Sequence, residues 1–422
     1  MKTETIEKAK AVLVGIYPQG GEEECGRQLD ELKRLLDTAG GECFATLTQM
    51  RPSADNRTCI GSGKVEELKE LCAANEIELV VFDSELSPAQ IRNIEDVLGD
   101  VRVLDRSMLI LDIFAYHATS AEGKLQVELA QLQYTAPRLV GKGSAMSRLG
   151  GGIGTRGPGE SKLEIDRRRL KEKEQILKEQ LAELERTRLT MRAARDRSGV
   201  MKVAIVGYTN AGKSTLLNRM TGAGILAEDK LFATLDPTTR KFALPSGMEI
   251  LLTDTVGFIR KLPHHLIKAF KSTLDEAVYS DILMILVDAS DPEAGEHLAV
   301  TEKLLSELGA SDKPTLYVLN KCDKAEDGLM RPAISHGERD RVVSVSALTG
   351  DGMEELCEAL EELARLGKKK VTLMIPNTDH AAIAALYRSA EVHSVDYGND
   401  GAMVVATVDN KMYGMMQKYL TE

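Results

Sequence analysis

The chain lacks three things: a long apolar segment, a paired cysteine motif and an excess of positive charge. Its six cysteines lie far apart and never form a CxxC pair, so they are expected to be reduced thiols rather than disulfide partners or zinc ligands. No stretch approaches about 18 apolar residues, and the apolar run near the N-terminus is too short for a signal peptide. The net charge of −11 argues against a general nucleic-acid binder. These absences predict a cytoplasmic protein.

A glycine-rich loop follows the apolar run 203–206. Residues 207–214 read GYTNAGKS, match the pattern GxxxxGK[ST], and lead into a helical stretch. The backbone amides of such a loop wrap phosphates, and the helix N-terminus adds a positive dipole. Lys213 is expected to reach the β- and γ-phosphates, and the Ser214 hydroxyl to bind Mg²⁺. The expected contacts are Gly207, Tyr208, Thr209, Asn210, Ala211, Gly212, Lys213 and Ser214.

Three later motifs identify the nucleotide as GTP or GDP. Asp254, after an apolar strand, is placed to hold Mg²⁺ through water, and the Gly257 amide to sense a γ-phosphate. The carboxylate of Asp323 in NKCD can accept two hydrogen bonds from guanine, a pair that adenine does not offer. The amide of Ala347, at the end of a strand, is expected to be free for guanine O6. The other residues expected at these motifs are Thr255, Val256, Asn320, Lys321, Cys322, Val345 and Ser346.

Residues 1–115 alternate strand-like and helix-like runs, which predicts an N-terminal α/β domain with a small parallel sheet. The loop 60–64 (IGSGK) precedes a helix within this region. It lacks the spacing of either nucleotide fingerprint, so a structural turn is favoured. An anion site at the helix N-terminus remains the alternative.

Residues 116–199 are expected to form a long helical hairpin. A helix over 124–134 precedes a segment in which apolar residues recur every seven positions. Such a repeat places its apolar side chains on one face of a helix, and that face is buried by packing against one partner helix. The preceding helix is the expected partner. The repeat consists of Leu163, Leu170, Leu177, Leu184 and Met191.

The loop 137–159 inside this hairpin holds eight glycines and no acidic residue. Residues 138–202 carry 17 Lys/Arg against 9 Asp/Glu, a net charge of +8, so the rest of the chain carries −19. Two interpretations stand: a linker, or a basic tip that orders against an RNA backbone. The expected RNA contacts are Arg138, Lys142, Arg148 and Arg156.

The remaining chain is expected to form two further domains. Residues 200–366 read as a P-loop nucleotide domain with a doubly wound sheet. Residues 367–370 (GKKK) resemble a linker, and 371–422 a small C-terminal α+β domain without recognisable chemistry. The fold class is therefore α/β. A monomer is expected, because the acidic remainder of the chain has no long apolar repeat outside the hairpin that could pair with a second copy.

The order of these parts resembles the HflX family of translational GTPases over residues 6–366. The signatures are GSGK at 61–64, GGGIGTRGPGE at 150–160 and FATLDPT from 232. The resemblance implies a ribosome-associated GTPase that binds the 50S subunit. Its glycine-rich loop would lie near the peptidyl-transferase centre of 23S rRNA, and stalled or idle 70S ribosomes would be split. A ribosome-assembly or RNA-chaperone GTPase and a signalling switch that acts on protein effectors are the alternatives.

The resemblance also implies roles in the switch regions. Thr234 would bind Mg²⁺ and the γ-phosphate, with Thr238 and Thr239 as open alternatives. The catalytic set is then Lys213, Thr234 and Gly257, and the further switch I contacts are Phe232, Ala233, Leu235 and Asp236.

Two positions bear on the rate of hydrolysis. Phe258 stands where related switches carry a water-orienting glutamine, which a phenyl ring cannot replace. Slow hydrolysis without a partner is therefore expected, unless Phe258 is only a core contact. Asn210 stands where related GTPases carry a K⁺ ligand, so K⁺ is hypothesised as a further cofactor.

Overall fold

The computed structural model describes residues 9–139, 162–197, 200–222, 224, 230–232, 235–261, 271–324, 334, 337–366, 368–398 and 401–421. The chain divides into two compact units. The first comprises Met1–Leu184, Glu228–Asp236 and Lys261–Ser272, and the second comprises Glu185–Ala227, Pro237–Arg260 and Thr273–Glu422.

The first unit contains a four-stranded parallel sheet in the order β2-β1-β3-β4. Residues 11–15 of β1 and all four residues of β3 are buried, and both strands are rich in apolar residues, as expected for a parallel sheet covered on both faces. The predicted α/β fold is confirmed here. The strands are β1 (Lys10–Tyr17), β2 (Glu42–Met50), β3 (Leu79–Phe82) and β4 (Arg102–Asp105); the helices are α1 (Glu22–Thr38), α2 (Ser62–Asn75), α3 (Pro88–Leu98) and α4 (Arg106–His117).

Two long helices, α5 (Ala121–Leu139) and α6 (Lys162–Arg197), follow this sheet. Gln133 donates a hydrogen bond to Glu174 across them at 2.8 Å, and Lys173 pairs with Glu128 at 2.7 Å. Leu177 of the predicted repeat is 4% exposed. The helical hairpin is therefore confirmed. Lys142, Arg148 and Arg156 lie outside the described residues, as does the side chain of Arg138.

The second unit contains a six-stranded sheet in the order β10-β9-β8-β5-β7-β6. All neighbours are parallel except β6, which runs antiparallel to β7 at one edge. The predicted doubly wound sheet is confirmed. Its strands are β5 (Met201–Gly207), β6 (Thr238–Ala243), β7 (Glu249–Asp254), β8 (Ile282–Asp288), β9 (Thr315–Asn320) and β10 (Arg341–Ser344); its helices are α7 (Lys213–Thr221), α8 (Lys271–Tyr279), α9 (Ala294–Glu307) and α10 (Met353–Leu366).

The C-terminal residues form a separate antiparallel sheet in the order β11-β13-β12. The linker expected at 367–370 is wrong for its three lysines, which lie in β11 and pair with residues 407–409 of β13. β11 is an edge strand of this sheet, and lysine is a common residue on edge strands. The elements are β11 (Lys368–Ile375), α11 (His380–Ser389), β12 (Glu391–Tyr397), β13 (Ala402–Asp409) and α12 (Asn410–Met416).

Two features are absent from the residues that the structure describes. No helix there is long and apolar enough to cross a membrane. No group of three or more His, Cys, Asp or Glu side chains could hold a metal ion in that part of the chain. The six cysteines are free thiols.

Candidate nucleotide-binding site

Four motifs predicted from the sequence follow parallel strands of the six-stranded sheet. The phosphate loop follows β5, Asp254 ends β7, Asn320 ends β9, and residues 345–347 come after β10. Because the carboxyl ends of parallel strands meet at one edge, these motifs lie together there. Ligands of open α/β sheets bind at such an edge.

The phosphate loop requires glycine at two positions. Gly207 has φ +149°, and a Cβ there would lie 2.3 Å from the carbonyl oxygen of Leu286. Gly212 has φ +95°, and its Cβ would lie 2.3 Å from Nδ2 of Asn320. Both values are far below any real Cβ contact, so a side chain at position 207 would displace the backbone, and one at position 212 would displace the Asn320 side chain.

Lys213 is buried at the start of α7. Its ammonium donates hydrogen bonds to the carbonyls of Tyr208, at 2.8 Å, and Gly207, at 3.2 Å. Burial lowers the pKa of Lys213 to about 8, although the nearby Asp254 carboxylate acts to raise it. A phosphate at this loop would add negative charge beside the buried ammonium, which favours its protonated form.

Ser214 and Asp254 supply adjacent oxygen atoms. The Ser214 hydroxyl donates to Oδ2 of Asp254 at 2.6 Å, and Asp254 is fully buried. Hydroxyl and carboxylate oxygens are the ligands that Mg²⁺ prefers, directly or through water. The donor set therefore fits that ion.

The segment 254–258 is bound to the phosphate loop through the backbone. The amide of Thr209 donates to the Phe258 carbonyl at 2.8 Å, and the amide of Phe258 to the Gly207 carbonyl at 3.0 Å. Phe258 is 1% exposed, as its interpretation as a core contact expects. A Cβ on Gly257 would lie 2.8 Å from Thr209 Cα and 3.0 Å from the ammonium of Lys213, so glycine alone fits.

The side chain of Asn320 joins two loops of the site. Its Nδ2 donates to the Ala211 carbonyl at 2.8 Å, and its Oδ1 accepts from the Ala347 amide at 3.0 Å. The Ala347 amide was expected to be free; instead it is engaged, because the Asn320 side chain ties two loops together. Lys321 pairs with Asp288 at 2.7 Å, and Asp323 is exposed.

The residues expected in switch I belong to the first unit. Phe232 has φ +59°, is 3% exposed, and meets the ring of Phe114 edge-on at 4.8 Å. Leu235 is buried, and the Asp236 carboxylate is bound by residues at the start of α5. Ala233 and Thr234 lie outside the described residues.

The two alternatives to Thr234 fall in a strand. Thr238 and Thr239 begin β6, and the Thr239 hydroxyl hydrogen-bonds with that of Thr253 at 2.9 Å. The hydroxyl of Thr239 is thus already engaged by a residue of β7.

Sequence reasoning missed two supports of the site. Asp288, the partner of Lys321, ends the apolar strand β8 at the same sheet edge; an acidic residue closing a buried strand was the available signal. The ring of Tyr208 stacks on that of His297, with centroids 3.8 Å apart and planes at 15°. No local pattern marks His297, because the two residues are far apart in the chain.

The fold and this site define a P-loop GTPase. Three family models match the chain, and their descriptions are GTP-binding GTPase N-terminal (residues 26–115), GTP-binding GTPase Middle Region (117–195) and 50S ribosome-binding GTPase (202–321).

Relatives from several bacteria match nearly the whole chain. GTPase HflX of Lacrimispora saccharolytica is 48% identical over 418 residues, covering 98% of each chain. GTPase HflX of Escherichia coli K12 is 41% identical over 396 residues, covering 93% of this chain and 92% of the relative. A GTP-binding protein of Sulfolobus solfataricus solved with GDP is 27% identical with a TM-score of 0.44, covering 85% of this chain and 99% of that one. The chain belongs to the HflX family of GTPases, and it is a GTP hydrolase.

Proposed function

We propose that this GTPase binds the large ribosomal subunit and, in a GTP-dependent way, splits or rescues stalled or idle 70S ribosomes. The observation that carries the proposal is membership of the HflX family over nearly the whole chain, with residues 202–321 matching a model described as a 50S ribosome-binding GTPase. Binding to ribosomes would place the protein in the cytoplasm, where we expect it to act as a monomer.

The charge distribution supports an RNA contact at the hairpin. The hairpin region is basic while the rest of the chain is acidic. Lysine and arginine side chains that replace counterions along an RNA backbone would favour binding through this region alone. In this proposal the loop 137–159 approaches the peptidyl-transferase centre in 23S rRNA, and Arg138, Lys142, Arg148 and Arg156 contact RNA.

The nucleotide roles form the second part of the proposal. Lys213 would neutralise charge on the β- and γ-phosphates, and the Asp323 carboxylate would accept two hydrogen bonds from guanine. Bound Mg²⁺ would neutralise charge between the phosphates, held by the hydroxyls of Ser214 and Thr234, with Asp254 behind it. The amide of Gly257 would sense the γ-phosphate, and Asn210 would hold K⁺.

GTP turnover with and without purified 50S subunits tests the proposal, with 70S dissociation followed by light scattering in the same samples. Strong stimulation with GTP-dependent loss of 70S particles is expected. Stimulation without dissociation would instead indicate an assembly or RNA-chaperone GTPase. No stimulation would indicate a switch that acts on protein effectors.

A charge-matched pair of double variants locates the RNA contact. Arg148→Ala with Arg156→Ala in the loop should weaken 50S binding and its dependence on salt. Arg167→Ala with Arg169→Ala removes the same charge from exposed positions on α6 and should have little effect. Equal losses in both double variants would contradict a specific role for the loop.

A further inference from the structure

Thr209 in the phosphate loop carries a buried hydroxyl that no hydrogen bond explains. The residue is 6% exposed, and among the described residues its Oγ1 has no hydrogen-bond partner. Buried hydroxyls nearly always have one, because an unsatisfied hydroxyl destabilises a fold. Valine has the same shape without that penalty, so folding alone does not account for threonine at this position.

The side chain of Thr209 lies close to Gly257, which is also close to the Lys213 ammonium. A Cβ built on Gly257 would lie 2.8 Å from both Cα and Cγ2 of Thr209, and 3.0 Å from Nζ of Lys213. The Thr209 amide is fixed by the Phe258 carbonyl at 2.8 Å. The backbone and methyl group of Thr209 therefore lie close to Gly257, and the Lys213 ammonium lies close to the same glycine. Gly257 and Lys213 are the residues expected to contact a γ-phosphate, so the Thr209 hydroxyl belongs to a side chain at that end of the site.

None of the neighbouring side chains Phe258, Ser214 and Lys213 is suited to position the attacking water. Phe258 is apolar and buried, so it cannot orient water. The Ser214 hydroxyl is directed to Asp254, and the Lys213 ammonium provides charge but accepts no hydrogen bond. A threonine hydroxyl both donates and accepts, which is what positioning a water molecule against a phosphate requires.

We propose that the Thr209 hydroxyl is a catalytic group in GTP hydrolysis, donating to a γ-phosphate oxygen and accepting a hydrogen bond from the attacking water. The water oxygen forms a bond to the γ-phosphorus as the bond from phosphorus to the β,γ-bridging oxygen breaks. The bridging oxygen leaves on GDP with the electron pair. Both water protons remain with the products, one on the new P–OH and one on phosphate or solvent, and Thr209 keeps its own proton.

Thr209→Val and Thr209→Ser in the full-length chain test this role through single-turnover hydrolysis of saturating GTP. Thr209→Val should slow hydrolysis about 10- to 100-fold, in the range found when one transition-state donor is removed. Its GDP affinity should stay within about twofold and its melting temperature should not fall, because the lost hydroxyl has no protein partner. Thr209→Ser should hydrolyse GTP at close to the original rate.

Thr315→Val is the matched control. Thr315 is also 6% exposed, but its hydroxyl donates to the Lys313 carbonyl at 3.0 Å, away from the motifs of the site. This variant should melt earlier and hydrolyse GTP normally. The proposal is overturned if Thr209→Val matches the original rate, if GDP affinity falls in parallel with the rate, or if serine fails to restore hydrolysis.

Discussion

The carboxylate of Asp236 accepts two hydrogen bonds from Ser120, one from its amide at 2.7 Å and one from its hydroxyl at 2.5 Å. The amide and hydroxyl of Thr119 add two more, at 2.9 and 2.7 Å. Burial acts to raise the pKa of Asp236, but the bonds from Ser120 and Thr119 outweigh it and the pKa is lowered. Ser120 also accepts a hydrogen bond from the Gly123 amide at the start of α5. Asp236, which is expected to belong to switch I, is therefore linked to the N-terminal end of the helix that leads to the glycine-rich loop.

Removing this contact should loosen the first turn of α5. Asp236→Ala should lower the free energy of unfolding by about 1–2 kcal/mol, because the amides and hydroxyls of Thr119 and Ser120 lose their acceptor. Gly123→Ala should also destabilise, because its Cβ would lie 2.4 Å from Oδ1 of Asp236. Amide hydrogen exchange of residues 121–125 reports both effects.

Gly26→Ala supplies the control, since a Cβ at this α1 position meets nothing within 4 Å. Alanine normally stabilises a helix relative to glycine by up to about 1 kcal/mol. Gly26→Ala should therefore raise the free energy of unfolding, whereas Gly123→Ala should lower it. Additive effects of Asp236→Ala and Gly123→Ala would contradict a shared contact, because coupled residues deviate from additivity.

The site motifs could be predicted from the sequence because each is local. GYTNAGKS, Asp254 and NKCD each follow an apolar strand, and parallel strands bring their ends together. The contacts of Asp236 with Ser120 and of Phe232 with Phe114 could not be predicted, because they join residues more than 100 positions apart and leave no local pattern. The lysines 368–370 were misassigned because edge-strand lysines resemble a polar linker.

Replacing Phe258 with glutamine, the residue that related switches carry, should not raise the rate of GTP hydrolysis. Phe258 is 1% exposed and its backbone is bound to Gly207 and Thr209, so a glutamine amide there would be buried. Phe258→Gln should lower the free energy of unfolding by about 2–4 kcal/mol without raising the basal GTPase rate. Phe258→Leu, which stays apolar, should be less destabilising. A faster basal rate in Phe258→Gln would show that this position can reach the water.

Exchanging Asp323 for asparagine should change the base that is bound. The introduced side-chain amide would donate where guanine also donates, so Asp323→Asn should weaken GTP binding at least about 100-fold. Xanthosine triphosphate carries a carbonyl in place of the exocyclic amine, and should bind the variant better than GTP. Fluorescent-nucleotide competition measures both ligands. Equal weakening of both would indicate a disturbed loop instead of altered recognition.

Potassium dependence tests the role of Asn210, which has φ +62° in the phosphate loop. If this residue holds a monovalent cation, K⁺ should raise the hydrolysis rate about tenfold over Na⁺, well below the effect of an arginine finger. Asn210→Ala should remove the difference between the two salts at equal ionic strength. Equal rates in K⁺ and Na⁺, together with a silent Asn210→Ala, would exclude the cation.

The C-terminal sheet should contain an acid-sensitive helix start at Asp379. Its carboxylate accepts from the Tyr419 hydroxyl and, at 3.1 Å, from the Ala382 amide at the N-terminus of α11. The Tyr419 bond, followed by the Ala382 bond, lowers the pKa of Asp379 below its usual 3.8. A carboxyl group with a lowered folded pKa stabilises the fold above its unfolded pKa, and that contribution is lost as pH falls through the folded value.

Hydrogen exchange of the Ala382 amide between about pH 5.5 and 3 measures this loss. Protection should fall toward the acid end in the original chain. Asp379→Asn keeps an acceptor oxygen for the amide but cannot titrate, so its protection should start lower and vary less with pH. Asp396→Asn removes an equivalent charge from an exposed position on β12 and should leave the original pH dependence intact. If Asp379→Asn and the original chain follow the same curve, other carboxyl groups govern the acid response of α11.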